Sequence, residues 1–251
     1  MLDQLFIYHP MPWSEQDWAR ASGLPLEDVW FRAADGTRLF GWYVQASAQA
    51  PVVLWCHGNA GNITHRLRNL TRLVRLGLSV FLFDYRGYGR SQGQPSETGL
   101  YQDAGAAYSY LTNVRKTLPK RVIVFGRSLG STVAGHLVSE RPAAGLILES
   151  SFPSVEHMAR THYFGLPAHW LLRARFDLAS HLKRVRVPLL IIHGDRDRIV
   201  PIGLGRKVYE QANGPKDFYR VSGAGHNDVT MVGGRPYFQR IIQFITRVTY
   251  S

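Results

Sequence analysis

The sequence predicts an α/β protein: a mostly parallel eight-stranded sheet with helices on both faces and a small helical partial cap. Three observations carry that prediction. Short apolar, β-branched runs recur along most of the chain, longer helix-patterned stretches separate them, and Gly-, Asp- and His-containing loops follow several of the runs. Two strands with mixed polarity come first, Asp28 to Ala33 and Thr37 to Gln45, joined across Asp35-Gly36, a pair that favours a hairpin turn. Buried-type strands follow at Val52–Cys56, Leu78–Phe83, Arg121–Phe125, Ala144–Leu148, Val187–Ile192 and Lys216–Val221. Near-continuous apolar runs suit strands covered on both faces. Helical patterns occupy Thr64–Leu76, Gly99–Thr117, Ser128–Glu140, Gly203–Gln211 and Arg235–Val248, and each connection has room for a right-handed crossover. The segment 152–186 breaks the rhythm with His, aromatics, Pro153 and Pro167, and reads as short cap helices over the sheet. Residues 1–25, with Trp13 and Trp18, read as an arm packed on the rest. With no linker, repeat or low-complexity tract, residues 1–251 are expected to form one domain.

Composition excludes several classes. The chain has 251 residues, 45% of them hydrophobic, which rules out dominant disorder. A single Cys excludes a disulfide framework and a cysteine-based zinc site. No apolar run approaches a membrane-spanning length. An acid near the start, where a signal peptide would carry Lys or Arg, leads to the expectation of a cytoplasmic protein. Lys and Arg number 30 against 18 Asp and Glu, a formal charge of +12. The arginines are scattered, at Arg20, Arg66, Arg115, Arg173 and Arg240 for example, without a nucleic-acid-binding motif, so no nucleic acid is expected. Weak contact with an anionic membrane surface is the partner class that the charge leaves open.

The chemistry centres on G-R-S-L-G, Gly126 to Gly130. It follows the strand R-V-I-V-F and precedes a helical pattern, the strand–sharp turn–helix setting of a nucleophile elbow. A serine hydroxyl needs a base. His226, in S-G-A-G-H-N-D, lies after the last strand and before the last helix. The acid is expected between Ser and His. Asp197, in H-G-D-R-D-R-I-V-P, is the first choice, with Asp195 and Glu149 as the alternatives. The order Ser128, Asp197, His226 matches one of the three common triad orders. The acid would orient the imidazole and stabilise its charged form. An oxyanion hole requires backbone donors, one at Leu129 and one in the loop H-G-N-A-G-N after the Val52–Cys56 strand, where Asn59 is the expected donor.

With these segments in place, the chain resembles the α/β-hydrolase superfamily, and within it the small-cap serine hydrolases that include the α/β-hydrolase-domain depalmitoylases and their bacterial relatives. The resemblance rests on H-G-N-A-G-N, D-Y-R-G-Y-G-R-S (Asp84–Ser91), G-R-S-L-G, E-S-S-F (Glu149–Phe152), H-G-D-R-D-R-I-V-P and G-A-G-H-N-D, in family order from about residue 28 onward. It implies an α/β-hydrolase fold and a bacterial protein. It implies Ser128 as nucleophile, Asp197 as acid, His226 as base, and the amides of Asn59 and Leu129 as oxyanion hole. The expected activity is cleavage of a carboxylic ester or thioester through an acyl-enzyme, with a small-molecule acyl substrate and no cofactor or metal. A serine aminopeptidase or amidase on the same triad, or a non-catalytic binding protein on the same scaffold, are the alternatives.

The other candidates read as mainly structural. Cys56 is expected in the core, and Asp84 with Arg86 as a structural ion pair. His157, His162 and His169 lack a zinc spacing. His57, Gly58, Arg127, His162, Tyr163, Phe164 and Val200 are the residues expected to line the substrate pocket. Arg160, Arg173 and Arg175 could attract an anionic substrate.

Overall fold

Strand by strand, alternate side chains enter two separate cores, one on each face of a central sheet. In the strand Val52–Cys56, Leu54 and Cys56 pack on one face while Val53 and Trp55 pack on the other. A computed structural model of the chain describes residues 3, 7–13, 23–162 and 173–250, with His162 by its backbone alone. In chain order the strands are β1 (His9–Pro10), β2 (Glu27–Arg32), β3 (Arg38–Val44), β4 (Val52–Cys56), β5 (Ala60–Gly61), β6 (Ser79–Asp84), β7 (Val122–Arg127), β8 (Gly145–Glu149), β9 (Leu189–Gly194) and β10 (Lys216–Val221). The helices are α1 (Leu67–Arg75), α2 (Glu97–Ser109), α3 (Leu129–Glu140), α4 (Val155–His162), α5 (Leu178–Leu182), α6 (Ile202–Gln211) and α7 (Val229–Thr249).

Eight strands form one sheet in the order β10-β9-β8-β7-β4-β6-β3-β2. β3 runs antiparallel to both β2 and β6, and the other pairs are parallel. Helices α1 and α7 cover one face, while α2, α3, α5 and α6 cover the other. β6 and β7 flank β4 on opposite sides, so the loops that leave β4 and β7 diverge and open a crevice at their carboxyl ends. That crevice is where the sequence placed its chemistry.

Local differences from the sequence reading have identifiable causes. The long helix expected to Thr117 is α-helical to Ser109, continues as a wider π-helical turn, Tyr110–Val114, and stops before Lys116 at φ 56. The last helix begins earlier, at Val229, and kinks at Gly234 (φ 50), which Pro236 follows inside the next turn. The Asp35-Gly36 turn is present: Gly36 has φ 84, and the Thr37 amide donates to Asp35 Oδ1 at 3.0 Å. Of the expected cap, α4 and α5 are described. Tyr163, Phe164 and His169 lie outside the described residues. No helix among the described residues is long and apolar enough to cross a membrane.

Candidate active site

β7 delivers Ser128 at the turn into α3. Ser128 adopts φ 52 and ψ −120, a conformation side chains rarely take, and such strain costs about 1–3 kcal/mol. Neighbouring contacts hold it there. The Ser128 amide donates to the Glu149 carbonyl at 2.8 Å, and the Ser131 amide closes onto the Ser128 carbonyl at 2.9 Å. The turn is this tight only because its flanking residues lack side chains. A Cβ on Gly126 would lie 2.4 Å from the Gly130 carbonyl oxygen, and one on Gly130 would lie 2.1 Å from that of Cys56. Gly130→Ala is therefore expected to lower the free energy of unfolding by about 3 kcal/mol, measured by urea titration. A loss below about 1 kcal/mol would mean the elbow can relax.

His226 stands over this turn, with Nε2 3.1 Å from Ser128 Oγ and Nδ1 2.7 Å from Asp197 Oδ2. The second carboxylate oxygen, Oδ1, accepts the amides of Ile199 (2.9 Å) and Val200 (2.7 Å). Burial works to raise the Asp197 carboxyl. The hydrogen bond and charge of His226 and the Val200 amide outweigh that effect, so Asp197 stays below its ordinary value and is ionised at neutral pH. A carboxylate only accepts, so His226 Nδ1 carries the proton and its Nε2 lone pair faces Ser128. The two alternative acids are engaged elsewhere. Asp195 accepts the Gly223 amide at 2.7 Å, and Glu149 is buried between Arg127 and Tyr237.

Arg127 ties the two halves of the site together. Its Nε donates to Glu149 at 2.9 Å, and its Nη2 reaches the His226 carbonyl at 2.6 Å and Asn227 Oδ1 at 3.0 Å. Tyr237 completes the anchor by donating to the other Glu149 oxygen at 2.5 Å. If this tether positions the imidazole, Arg127→Met should lower kcat about 10- to 100-fold. The check is steady-state kinetics beside a melting curve, and a folded variant with wild-type kcat would dismiss the tether.

The loop after β4 is clamped from two sides. His57 does not line a pocket as expected. Its ring is fully buried, 4.4 Å from Tyr85 and 5.4 Å from Tyr88 between centroids, with Nδ1 2.7 Å from the Gly58 carbonyl. The chain turns directly after the strand, and that sends the imidazole beneath the loop, beside Asp84 at 3.5 Å. Burial pushes His57 down to about 3 and Asp84 up to about 8, so the pair rests neutral at pH 7. Asp84 makes no ion pair with Arg86, which turns to Asp103 and Asp35 instead. Above the loop, residues 7–12 form a strap: β1 pairs in parallel with β5. The Asn59 side chain donates to the Ile7 carbonyl and accepts the His9 amide (3.2 Å) and the Tyr88 hydroxyl (2.9 Å). Asn62 similarly donates to the carbonyls of Met11 and Pro12.

Between loop, elbow and strap lies a cavity of about 640 Å³ that contains Ser128 and His226 in its wall. Gly58, Arg127 and Val200 line it as the sequence suggested, and Asn59 and Leu129, the expected oxyanion donors, stand in the same wall. Tyr163, Phe164 and the side chain of His162 lie outside the described residues. Sequence reasoning missed Ile7, His9 and Met11 of the strap, Phe152, Val155, Met158 and Ala159, Ile199, and His65 with Arg66. The spacing of 155, 158 and 159 on one helical face was the available signal for α4. For the strap and Arg66 there was none. Arg160, Arg173 and Arg175 do not line the cavity, and Arg160 pairs with Glu156 at 2.5 Å. Cys56 is buried, its thiol pushed up to about 12 by burial. No group of three metal-ligating side chains occurs among the described residues.

Comparison with known proteins follows the same lines. The family profile described as "Serine aminopeptidase, S33" matches residues 47–177. An uncharacterised protein of Mycobacterium tuberculosis is 41% identical over 221 residues, which cover 87% of this chain and 79% of that protein. Alpha/beta hydrolase domain-containing protein 17B of Xenopus tropicalis is 31% identical over 223 residues, covering 86% of this chain and 74% of its own. An esterase of Pyrococcus furiosus shares the fold, with a TM-score of 0.80 at 20% identity over 96% of this chain and 97% of that one.

Proposed function

The chain belongs to the α/β-hydrolases, in the family described as serine aminopeptidase, S33, and from that premise we propose that it cleaves carboxylic esters or thioesters through an acyl-enzyme on Ser128. The observation that carries this reading is the continuous relay from Asp197 to His226 (2.7 Å) to Ser128 (3.1 Å) at the wall of a largely apolar cavity. Ser128 Oγ attacks the substrate carbonyl as His226 Nε2 takes its proton. The carbonyl electron pair moves to oxygen, and the amides of Asn59 and Leu129 receive that oxyanion. Leu129 is the first residue of α3, so its N–H has no intrahelical acceptor and is free for this use. The helix N-terminus adds a favourable field. Collapse expels the alkoxide or thiolate, protonated by His226. Water, deprotonated by His226, then attacks the acyl-Ser128, and a second collapse releases the carboxylic acid and restores the hydroxyl.

The family description favours a second reading, an aminopeptidase. An aminopeptidase holds the substrate's α-ammonium with an anion, and no Asp or Glu lines the cavity among the described residues. Apolar walls built from Ile7, Phe152, Val155, Met158 and Val200 instead suit an acyl chain. The test is intact-protein mass after fluorophosphonate treatment, combined with a graded series of p-nitrophenyl esters, acyl thioesters and aminoacyl anilides. One adduct on Ser128 with turnover of the esters is expected. Turnover of the anilides alone would replace the esterase reading with the peptidase one.

A further inference from the structure

The other buried or half-buried arginines near the site hold carboxylates. Arg86 holds Asp103 and Asp35, and Arg127 holds Glu149. Arg66 does not. It closes the short turn Ile63–Arg66, and its side chain lines the cavity that contains Ser128 and His226. Its Nη2 donates to the Ala60 carbonyl at 2.5 Å. Its Nε is buried without a hydrogen-bond partner, and no carboxylate lies within ion-pair distance of it among the described residues. A partly desolvated guanidinium whose nearest carboxylates, Asp84 and Glu149, act on it only from beyond ion-pair distance gains when an anion enters. Burial, with Arg127 nearby, draws Arg66 down to about 10, so it remains charged at neutral pH.

We propose that Arg66 recognises an anionic group on the substrate, a carboxylate or a phosphate monoester, within the same cavity. The inference rests on the serine-hydrolase reading and narrows its substrate class to amphiphilic acyl compounds: an apolar body against the Phe152, Val155 and Met158 wall, and an acid at Arg66. The planar guanidinium matches either oxyanion. Ala60, which Arg66 also holds, follows Asn59 directly, so the acid would bind beside the loop that carries the proposed oxyanion donor.

Two measurements test it together. The first compares kcat/KM for the p-nitrophenyl monoester of pentanedioic acid, which carries a free carboxylate, with that of p-nitrophenyl pentanoate. Wild type is expected to favour the anionic ester by about tenfold or more, Arg66→Met to bring the ratio to about one, and Arg66→Lys to restore part of it. The second titrates wild type and Arg66→Met with pentanoate, pentyl phosphate and pentanol by calorimetry. Binding of the anions to wild type alone supports the site, and the tighter of the two identifies the acid. An unchanged ratio in Arg66→Met, equal losses on both esters, or anion binding that survives the substitution would overturn the proposal. Arg66-dependent anion binding with neither ester hydrolysed would sink the hydrolase reading and keep the anion site. Turnover of the neutral ester without anion preference or binding would do the reverse.

Discussion

Ser128→Ala is expected to lower kcat on the best p-nitrophenyl ester by about 10⁴- to 10⁶-fold and to abolish the fluorophosphonate adduct. The loss is large because every other group in the relay acts through the Ser128 hydroxyl: His226 has only that proton to take at 3.1 Å, and Asp197 reaches Ser128 only through His226. Folding should survive, since alanine removes one oxygen and the strained turn is held by the backbone bonds to Glu149 and Ser131. Removing the side chain leaves φ 52 as unfavourable as before. Residual rate should come from the oxyanion donors and the cavity. If the alanine variant hydrolyses esters as fast as wild type at equal folded concentration, the nucleophile has been misassigned.

Asp197→Asn should cost about 10⁴-fold in kcat while leaving the fold and substrate affinity nearly intact. The reason is written in the hydrogen bonds. One carboxylate oxygen already accepts the amides of Ile199 and Val200. An asparagine must turn its carbonyl oxygen to those amides, because its NH₂ cannot accept them. The NH₂ is then directed at His226 Nδ1, which must become the acceptor. The imidazole proton moves to Nε2, where it faces Ser128 instead of a lone pair. The base is present, correctly placed, and in the wrong tautomer. Asp195→Asn is the matched control: its carbonyl can still accept the Gly223 amide, and activity should change little. The comparison is made by kcat and KM on one ester. An Asp197→Asn enzyme within tenfold of wild-type kcat would show that the acid is not what sets the tautomer.

These expectations divide according to how far apart the interacting residues lie in the chain. Strand positions, the elbow around Ser128, and the glycine-bearing loops after β4 and β9 could be read directly from the sequence. Each depends on a few consecutive residues: apolar runs long enough to be covered on both faces, and turns in which a side chain would clash. Asp35-Gly36 and Gly126-Arg127-Ser128-Leu129-Gly130 belong to this group. The long helix after Gly99 runs on as the sequence suggests, its last turn widened at Tyr110–Val114, and stops short of Thr117 where Lys116 turns to φ 56.

The remaining assignments required the packed chain. Asp197 was the first choice among three candidate carboxylates, and the juxtaposition of loops 29 residues apart gives it His226, with His226 then meeting Ser128 across 98. The same holds for the strap on Asn59, 50 residues distant, for Arg86 preferring Asp103 to the nearby Asp84, and for the burial of His57. Periodicity and turn chemistry act over a turn or two of chain and are carried by neighbouring residues. Which charged groups meet, which are buried, and which are left without a partner depend on strand order and on the free energy of desolvation at one place in space. Arg66 is the clearest case: one arginine among many in a basic sequence, it became distinctive only when folding placed it in the cavity wall with its Nε unpartnered and no carboxylate within ion-pair distance among the described residues.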